Sequence, residues 1–237
     1  MDFTYWLPDE NGNKTENKAV LNSVIIIGAN GSGKSKLGAW IEQQDMSNIH
    51  RIGAQRNLNF KENIPLKSYS QAEDFVLFGT DDESGKSDRN KGYRWGWGNF
   101  TTQLLNDFDD VLAAIIALKN NDNDKFAQEC KAASNKDAYP DPPLTAIDKL
   151  ILIWNEIFPQ RNLKVVDSKF IAYFDKNGRT VEYSSTQMSD GERAVLYLAA
   201  QVLCVPQNKT LIIDEPEVHL NRSIMNRLWN ALERYRQ

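Results

Sequence analysis

Apolar residues fall along this chain in two kinds of pattern. The first is the short unbroken run. Residues 20–27 close on four consecutive β-branched positions, Val24-Ile25-Ile26-Ile27, which predicts a strand buried on both faces of a sheet. Residues 49–54 and 210–213 read the same way. Residues 3–7 form a short aromatic strand that runs into the turn cluster Pro8-Asp9-Glu10-Asn11-Gly12-Asn13. The second pattern is helical spacing. It appears over 35–44 and over 104–119, where Leu104, Leu105, Phe108, Val111, Leu112, Ile115 and Ile116 share a stripe. The polar run 120–124 is expected to break that helix, with another following over 125–133. Pro140, Pro142 and Pro143 mark a boundary. Residues 145–158 are helical again, on a stripe of Ile147, Leu150, Ile151, Trp154, Ile157 and Phe158, and Pro159 ends them.

Further along, 163–183 alternates around Asn177-Gly178, the strongest short-range hairpin signal. Residues 192–205 are apolar nearly all round, as in a buried helix, and 221–236 form a last amphipathic helix. Between these, 79–103 carries Gly79, Gly85, Gly92, Gly96 and Gly98 among many charges and reads as a long exposed loop. The order of elements predicts an α/β fold. Residues 1–103 make the first half of a core sheet, 104–160 an inserted helical lobe, and 161–237 the hairpin, buried helix and strand that complete the core.

Composition narrows the function. Of 237 residues, 41% are hydrophobic and 25% charged, the balance of a globular chain rather than a disordered one. The net charge is −4, from 28 basic and 32 acidic residues, so bulk charge does not hold nucleic acid and any such contact is local or indirect. Cys130 and Cys204 are far apart with no CxxC pair, which disfavours a zinc or dithiol site. His50 and His219 are isolated from each other and from further metal ligands. No apolar run approaches the roughly 20 residues of a membrane span, and the start, Met1-Asp2-Phe3-Thr4, lacks the pattern of a signal peptide. A cytoplasmic protein without a membrane partner is expected.

Three motifs carry chemistry. Gly28-Ala29-Asn30-Gly31-Ser32-Gly33-Lys34-Ser35 matches G-x-x-x-x-G-K-[ST] between a predicted strand and a predicted helix, with Lys36 next in line. Glycines let the backbone curl so that its N–H groups face phosphate oxygens, and the helix N-terminus adds its dipole. Lys34 would reach the β- and γ-phosphates of ATP, and Ser35 would bind Mg²⁺. Leu211-Ile212-Ile213-Asp214-Glu215 is an apolar strand ending in two acids. Asp214 is placed for Mg²⁺ and Glu215 for polarising the attacking water as a general base. Ser189-Asp190-Gly191-Glu192 opens the buried helix as a capping box. A capped helix start with Ser and Gly at its mouth is also an anion site.

Together these motifs resemble an ABC-type ATPase head of the P-loop NTPase fold, in its SMC, RecF and OLD-like branch. Ser189-Asp190-Gly191-Glu192 is similar to that family's signature, with Met188 and Asp190 in place of Leu and Gly. Asp214-Glu215-Pro216-Glu217-Val218-His219-Leu220-Asn221 is similar to the stretch of OLD-like, AAA-named defence ATPases. The resemblance covers both ends of the chain; the middle matches only in layout. It implies head-to-tail dimerisation around ATP, with Ser189 and Gly191 contacting the γ-phosphate held by the other subunit. It implies a glutamine that senses Mg²⁺ and water, for which Gln103 is preferred by position and Gln55 is the other candidate. Arg56 falls where SMC-like heads carry an arginine near the nucleotide, with a solvated surface residue as the competing reading. Tyr5-Trp6 could stack on adenine, though core packing is the commoner use of such a pair. Tyr93-Arg94-Trp95-Gly96-Trp97 invites a nucleic-acid reading against one in which its tryptophans fold back. The family's later histidine has no candidate here, which suggests an N-terminal fragment whose parent continues into an effector, a TOPRIM-type nuclease among the options. Phage defence or DNA repair is the implied setting. A transporter cassette and an ATP-dependent scaffold without turnover are the alternatives.

Overall fold

The computed structural model describes residues 3–20, 23–84, 86 and 91–236. Gly85 of the glycine-rich segment and residues 21–22 of the first apolar run lie outside them. The chain begins with an antiparallel hairpin, β1 (Phe3–Pro8) and β2 (Lys14–Ala19). Its turn is tied by Asp9, whose carboxylate accepts from the backbone of Asn11 and Asn13. After the glycine-rich loop comes α1 (Lys34–Gln44) and then β3 (Ile49–Ile52), buried along its whole length. β3 pairs in parallel with β7 (Thr210–Ile213), Ile52 opposite Ile213.

Five more helices supply most of the core: α2 (Tyr69–Phe78), α3 (Phe108–Ala132), α4 (Ala146–Ile157), α5 (Asp190–Cys204) and α6 (Arg222–Arg236). One hydrophobic cluster runs through all five and includes Ile52 of β3. Leu112, Ile115, Ile153, Trp154 and Leu198 are essentially inaccessible in it, and burying each such side chain is worth about 1.5–3 kcal/mol. The helices between 104 and 160 therefore share a core with α5 and α6 and do not pack as a lobe of their own. A three-stranded antiparallel sheet, β4 (Asn162–Val166), β5 (Lys169–Lys176) and β6 (Arg179–Tyr183), lies between α4 and α5 in the chain. Asn177 and Gly178 both have positive φ, 52° and 73°, as the Asn-Gly hairpin signal requires.

Several expectations change. The run 24–27 forms no strand: Val24, Ile25, Ile26 and Ile27 are 40%, 83%, 46% and 90% exposed. β3 pairs only with β7 among the described residues, so no ladder reaches this segment. α3 begins at Phe108 rather than 104 and continues unbroken through 120–124. Asn and Asp cost a helix only a fraction of a kcal/mol each, and no Gly or Pro is present there to stop it. α2 was not expected at all. Ser68 caps its start by accepting from Gln71 N–H, and Gly79 ends it at φ 78°.

The 79–103 segment is not simply exposed. Its latter part is pinned by buried charge. Glu42 of α1 accepts from Arg51 at 3.2 Å and from Lys91 at 2.9 Å, all three inaccessible. The Arg51 guanidinium lies 4.0 Å over the ring of buried Trp95. Arg94 pairs with Asp107 at 2.7 Å, and Asp107 also accepts from Tyr197 and Gln201 of α5. Each of these five buried charges thus has an opposite partner, the condition under which buried ions are tolerated. Trp95 folds back into the protein, whereas Trp97 and Tyr93 remain exposed and pack edge-on against each other.

Candidate functional site

The loop before α1 has the geometry its glycines suggest. Gly31 and Gly33 sit at φ 79° and 94°, where an L side chain is strained, and a Cβ on Gly28 would meet Ser32 Oγ at 2.6 Å. Gly33 N-caps α1, and the first turn carries no acid. Its unpaired N–H groups and dipole are thus free for an anion. Lys34 lies back over the loop, its Nζ donating to the carbonyls of Gly28 (2.8 Å) and Ala29 (3.1 Å). Ala29, Asn30 and Lys36 are exposed, and Ser35 is half-buried.

The second element is the end of β7. Asp214 N–H donates to Ile52 carbonyl at 3.0 Å, which carries the β3–β7 ladder one residue further. Asp214 is 8% exposed, and its Oδ2 is buried with no hydrogen-bond partner among the described residues. An orphaned carboxylate oxygen in such a place carries a desolvation cost that a cation or bound water relieves. The next residue, Glu215, has φ 43°, uncommon for a residue with a side chain.

Ser35, Ala54, Gln55, Arg56, Thr101, Leu104, Glu215, Val218 and His219 line one cleft of about 480 Å³, within the usual range for a small-molecule site. α1, the residues after β3 and the turn after β7 thus converge there. The expected cation ligands Ser35 and Asp214 offer a hydroxyl and a carboxylate, oxygen donors of the kind Mg²⁺ takes. No group of three or more His, Cys, Asp or Glu residues suited to a metal occurs among the described residues.

Gln103 does not reach this cleft. Its amide donates to Leu104 carbonyl, and its Oε1 fills the space where Gly96 would otherwise carry a Cβ. Gln55, the other candidate, is exposed and lines the cleft, its carbonyl accepting from Leu105 N–H. Of the two glutamines, position along the chain favoured the one that the turn at Gly96 holds elsewhere.

Ser189, Asp190, Gly191 and Glu192 do not line the cleft either. Ser189 caps α5, accepting from Glu192 N–H, while its own N–H and hydroxyl each donate to Glu192 Oε2 at 2.8 Å. Glu192 is 2% exposed and also accepts from Arg161 and the Tyr183 hydroxyl. Burial raises its pKa, but the bonds from Tyr183, Ser189 and Arg161 outweigh it and hold the carboxyl below its usual value. A Cβ on Gly191 would lie 3.4 Å from His219 carbonyl, so the start of α5 packs beside the turn that follows Glu215.

The aromatic pair at the N-terminus sits on β1, where the Lys14 ammonium covers the Trp6 ring at 3.9 Å. No described helix is long and apolar enough to cross a membrane.

Arg56 takes neither the solvated surface place nor a contact within the glycine-rich loop. It is 8% exposed, not a solvated surface residue, and donates to the carbonyls of Gly53, Asp214 and Glu215. Burial lowers its pKa, opposed by Tyr197 and the acids Asp214, Glu217 and Glu215.

No curated protein and no solved structure matches the chain. Comparison with protein families matches residues 58–237 to the one described as "AAA domain, putative AbiEii toxin, Type IV TA system". The match begins after the glycine-rich loop and takes in the capped start of α5 and the two acids after β7. Spanning well over half of the sequence, it shows that the chain belongs to this AAA-domain ATPase family.

Proposed function

We propose that this protein is an ATP-driven switch: it binds ATP with Mg²⁺ through residues 28–36 and hydrolyses the γ-phosphate with Glu215 as general base. The observation that carries the reading is the cleft shared by Ser35, Gln55 and Glu215, reached from a loop built to receive phosphate. Gly28, Gly31 and Gly33 shape the loop, and its N–H groups hold the phosphate oxygens. Lys34 leaves the carbonyls of Gly28 and Ala29 to neutralise the β- and γ-phosphates. Ser35 and Asp214 would hold Mg²⁺, which supplies charge neutralisation at the phosphates when bound; the orphaned Asp214 Oδ2 supports this. Gln55, rather than Gln103, is the better-placed residue to orient water. Glu215 accepts the proton of the attacking water.

In the same reading two copies associate head to tail on ATP. Ser189 and Gly191 of one copy close on the γ-phosphate held by the other, and hydrolysis releases them. A helix N-terminus delivered in trans gives ATP differential affinity for the dimer, which is what a switch requires. The family's description names an AbiEii toxin of a type IV TA system, which agrees with a defence setting; in this reading the switch controls an effector.

The test is calorimetric titration with ATP and Mg²⁺, followed by light scattering. Lys34→Ala is expected to lose at least about tenfold in ATP affinity, and Glu215→Gln to accumulate an ATP-bound dimer. Unchanged ATP binding in Lys34→Ala refutes the site. Binding without any turnover in the wild type, and no extra dimer with Glu215→Gln, would instead support an ATP-dependent scaffold.

A further inference from the structure

We propose that Arg56 is a positioning residue for Glu215: its guanidinium holds the backbone of the two acids so that the Glu215 carboxylate faces the cleft. The proposal rests on the ATP-hydrolysis reading and adds a role for a residue which that reading leaves unused.

The geometry is specific. One guanidinium nitrogen donates to the carbonyls of Gly53 (3.3 Å) and Asp214 (3.2 Å), and the other to that of Glu215 (2.9 Å). In extended backbone successive carbonyls point to opposite sides of the strand. The carbonyls of residues 214 and 215 can face one guanidinium only because the chain turns at Glu215, whose φ is 43°. A residue with a Cβ outside a tight turn of Asn or Asp adopts that conformation at a cost its surroundings offset. Arg56 is the group that rewards the turn. Its planar fork can serve three acceptors at once, which an ammonium cannot do with the same geometry.

The base of the clamp is itself fixed. Arg56 bridges in parallel to Leu105, with Leu105 N–H donating to Gln55 carbonyl at 3.0 Å and Asn57 N–H to Leu105 carbonyl at 2.9 Å. Gly53 carbonyl, the third acceptor, follows the end of β3. The segment after β3 and the turn after β7 are therefore joined through one side chain at the floor of the cleft. Glu215 lines the cleft, and Arg56 holds the carbonyls of Asp214 and Glu215 on either side of the Glu215 Cα. Loss of the clamp frees φ at Glu215 and with it the direction of its side chain, while the phosphate loop is untouched.

A different role would also suit a cation lining this cleft: direct contact with a nucleotide phosphate. The two separate in kinetics. A positioning residue lowers kcat and leaves ATP affinity nearly intact; a phosphate contact weakens ATP binding. The experiment compares wild type, Arg56→Lys and Arg56→Gln, each alone and with Glu215→Gln, using ATP titration by calorimetry, phosphate release and thermal melting. Arg56→Gln is expected to keep ATP affinity within about threefold while kcat falls at least about 30-fold, with Arg56→Lys in between. In the Glu215→Gln background, Arg56→Gln should cause no further loss, because residues that act as a unit are non-additive. If Arg56→Gln melts below the assay temperature, Arg56→Lys decides alone: kcat equal to wild type overturns the clamp. Affinity lost more than about tenfold with kcat retained, or full additivity in the double variant, also overturns it. A wild type that neither binds nor hydrolyses ATP fells the functional reading and this proposal together. An active wild type matched by Arg56→Gln fells this proposal alone.

Discussion

His50 of β3 is enclosed on every side, and acidification is expected to destabilise the fold through it. The ring is inaccessible, and its Nε2 lies 3.1 Å from Gln201 Oε1. Gln201 uses its amide nitrogen to donate to Asp107 and to the Tyr197 hydroxyl. Its oxygen accepts, so the closer contact of Nε2 fits the neutral Nε2–H tautomer, while Arg94 Nη2 stands farther off, 3.5 Å from the same nitrogen. Nδ1 is buried with no partner among the described residues. Protonation would place an imidazolium beside Arg94 and Lys91, and burial first, then those two charges, hold the pKa well below 6.5. The unfolded chain takes up this proton near pH 6.5 and the folded chain does not. The unfolded state thus binds more protons as pH falls, and stability that is complete above pH 6.5 drains away below it. For one proton, the loss between about pH 7.5 and about pH 5.5 comes to about 1.4 kcal/mol. Urea unfolding of wild type and His50→Gln at these two pH values measures it, since Gln keeps a donor near Nε2 and does not titrate. Carboxylates such as Glu192, which lose stability on protonation, contribute equally to both proteins and cancel. The wild type should lose about 1.4 kcal/mol more than the variant; parallel losses would refute a neutral, buried His50.

Asp107→Ala leaves the buried Arg94 guanidinium without its anion and strips a partner from Tyr197 and Gln201; a loss of about 3–5 kcal/mol is expected by urea denaturation. Arg236 donates to the carbonyls of Val202, Val205, Pro206 and Lys209, satisfying the C-terminal end of α5. Arg236→Ala is expected to cost about 1–3 kcal/mol and to raise hydrogen exchange in the last turn of α5 ahead of the rest of that helix.

The sequence foretold best where a local rule has one dominant solution. Asn177-Gly178 needs positive φ twice and forms its hairpin. Ser189 and Glu192 form the reciprocal cap their spacing announces, and Gly31 and Gly33 take the left-handed φ that the glycine-rich pattern of 28–35 asks for. α2 carries its signal in Ser68 and Gly79 at its two ends and not in an apolar stripe long enough to announce a helix. The run 24–27 failed differently. Its composition suits a strand, but a strand exists only if another backbone pairs with it, and composition does not reveal the partner. Gln103 and Gln55 show the same limit at the site. Both are polar residues near a junction, and only the turn that seats Gln103 against Gly96 separates them. Arg56 looked ordinary in sequence because its three acceptors are main-chain carbonyls, two of them nearly 160 residues away.

The unpaired apolar segment 24–27 has a practical consequence. Its N–H and C=O groups join no ladder, its isoleucines face water, and one edge of β7 is open among the described residues. Exposed backbone of this kind is the template on which strands of other molecules nucleate. This exposed apolar stretch runs directly into the glycine-rich loop 28–35. A partner or additive that covers 24–27 is therefore expected to act on the chain immediately before the glycine-rich loop, and its effect on solubility and on that loop should be read together.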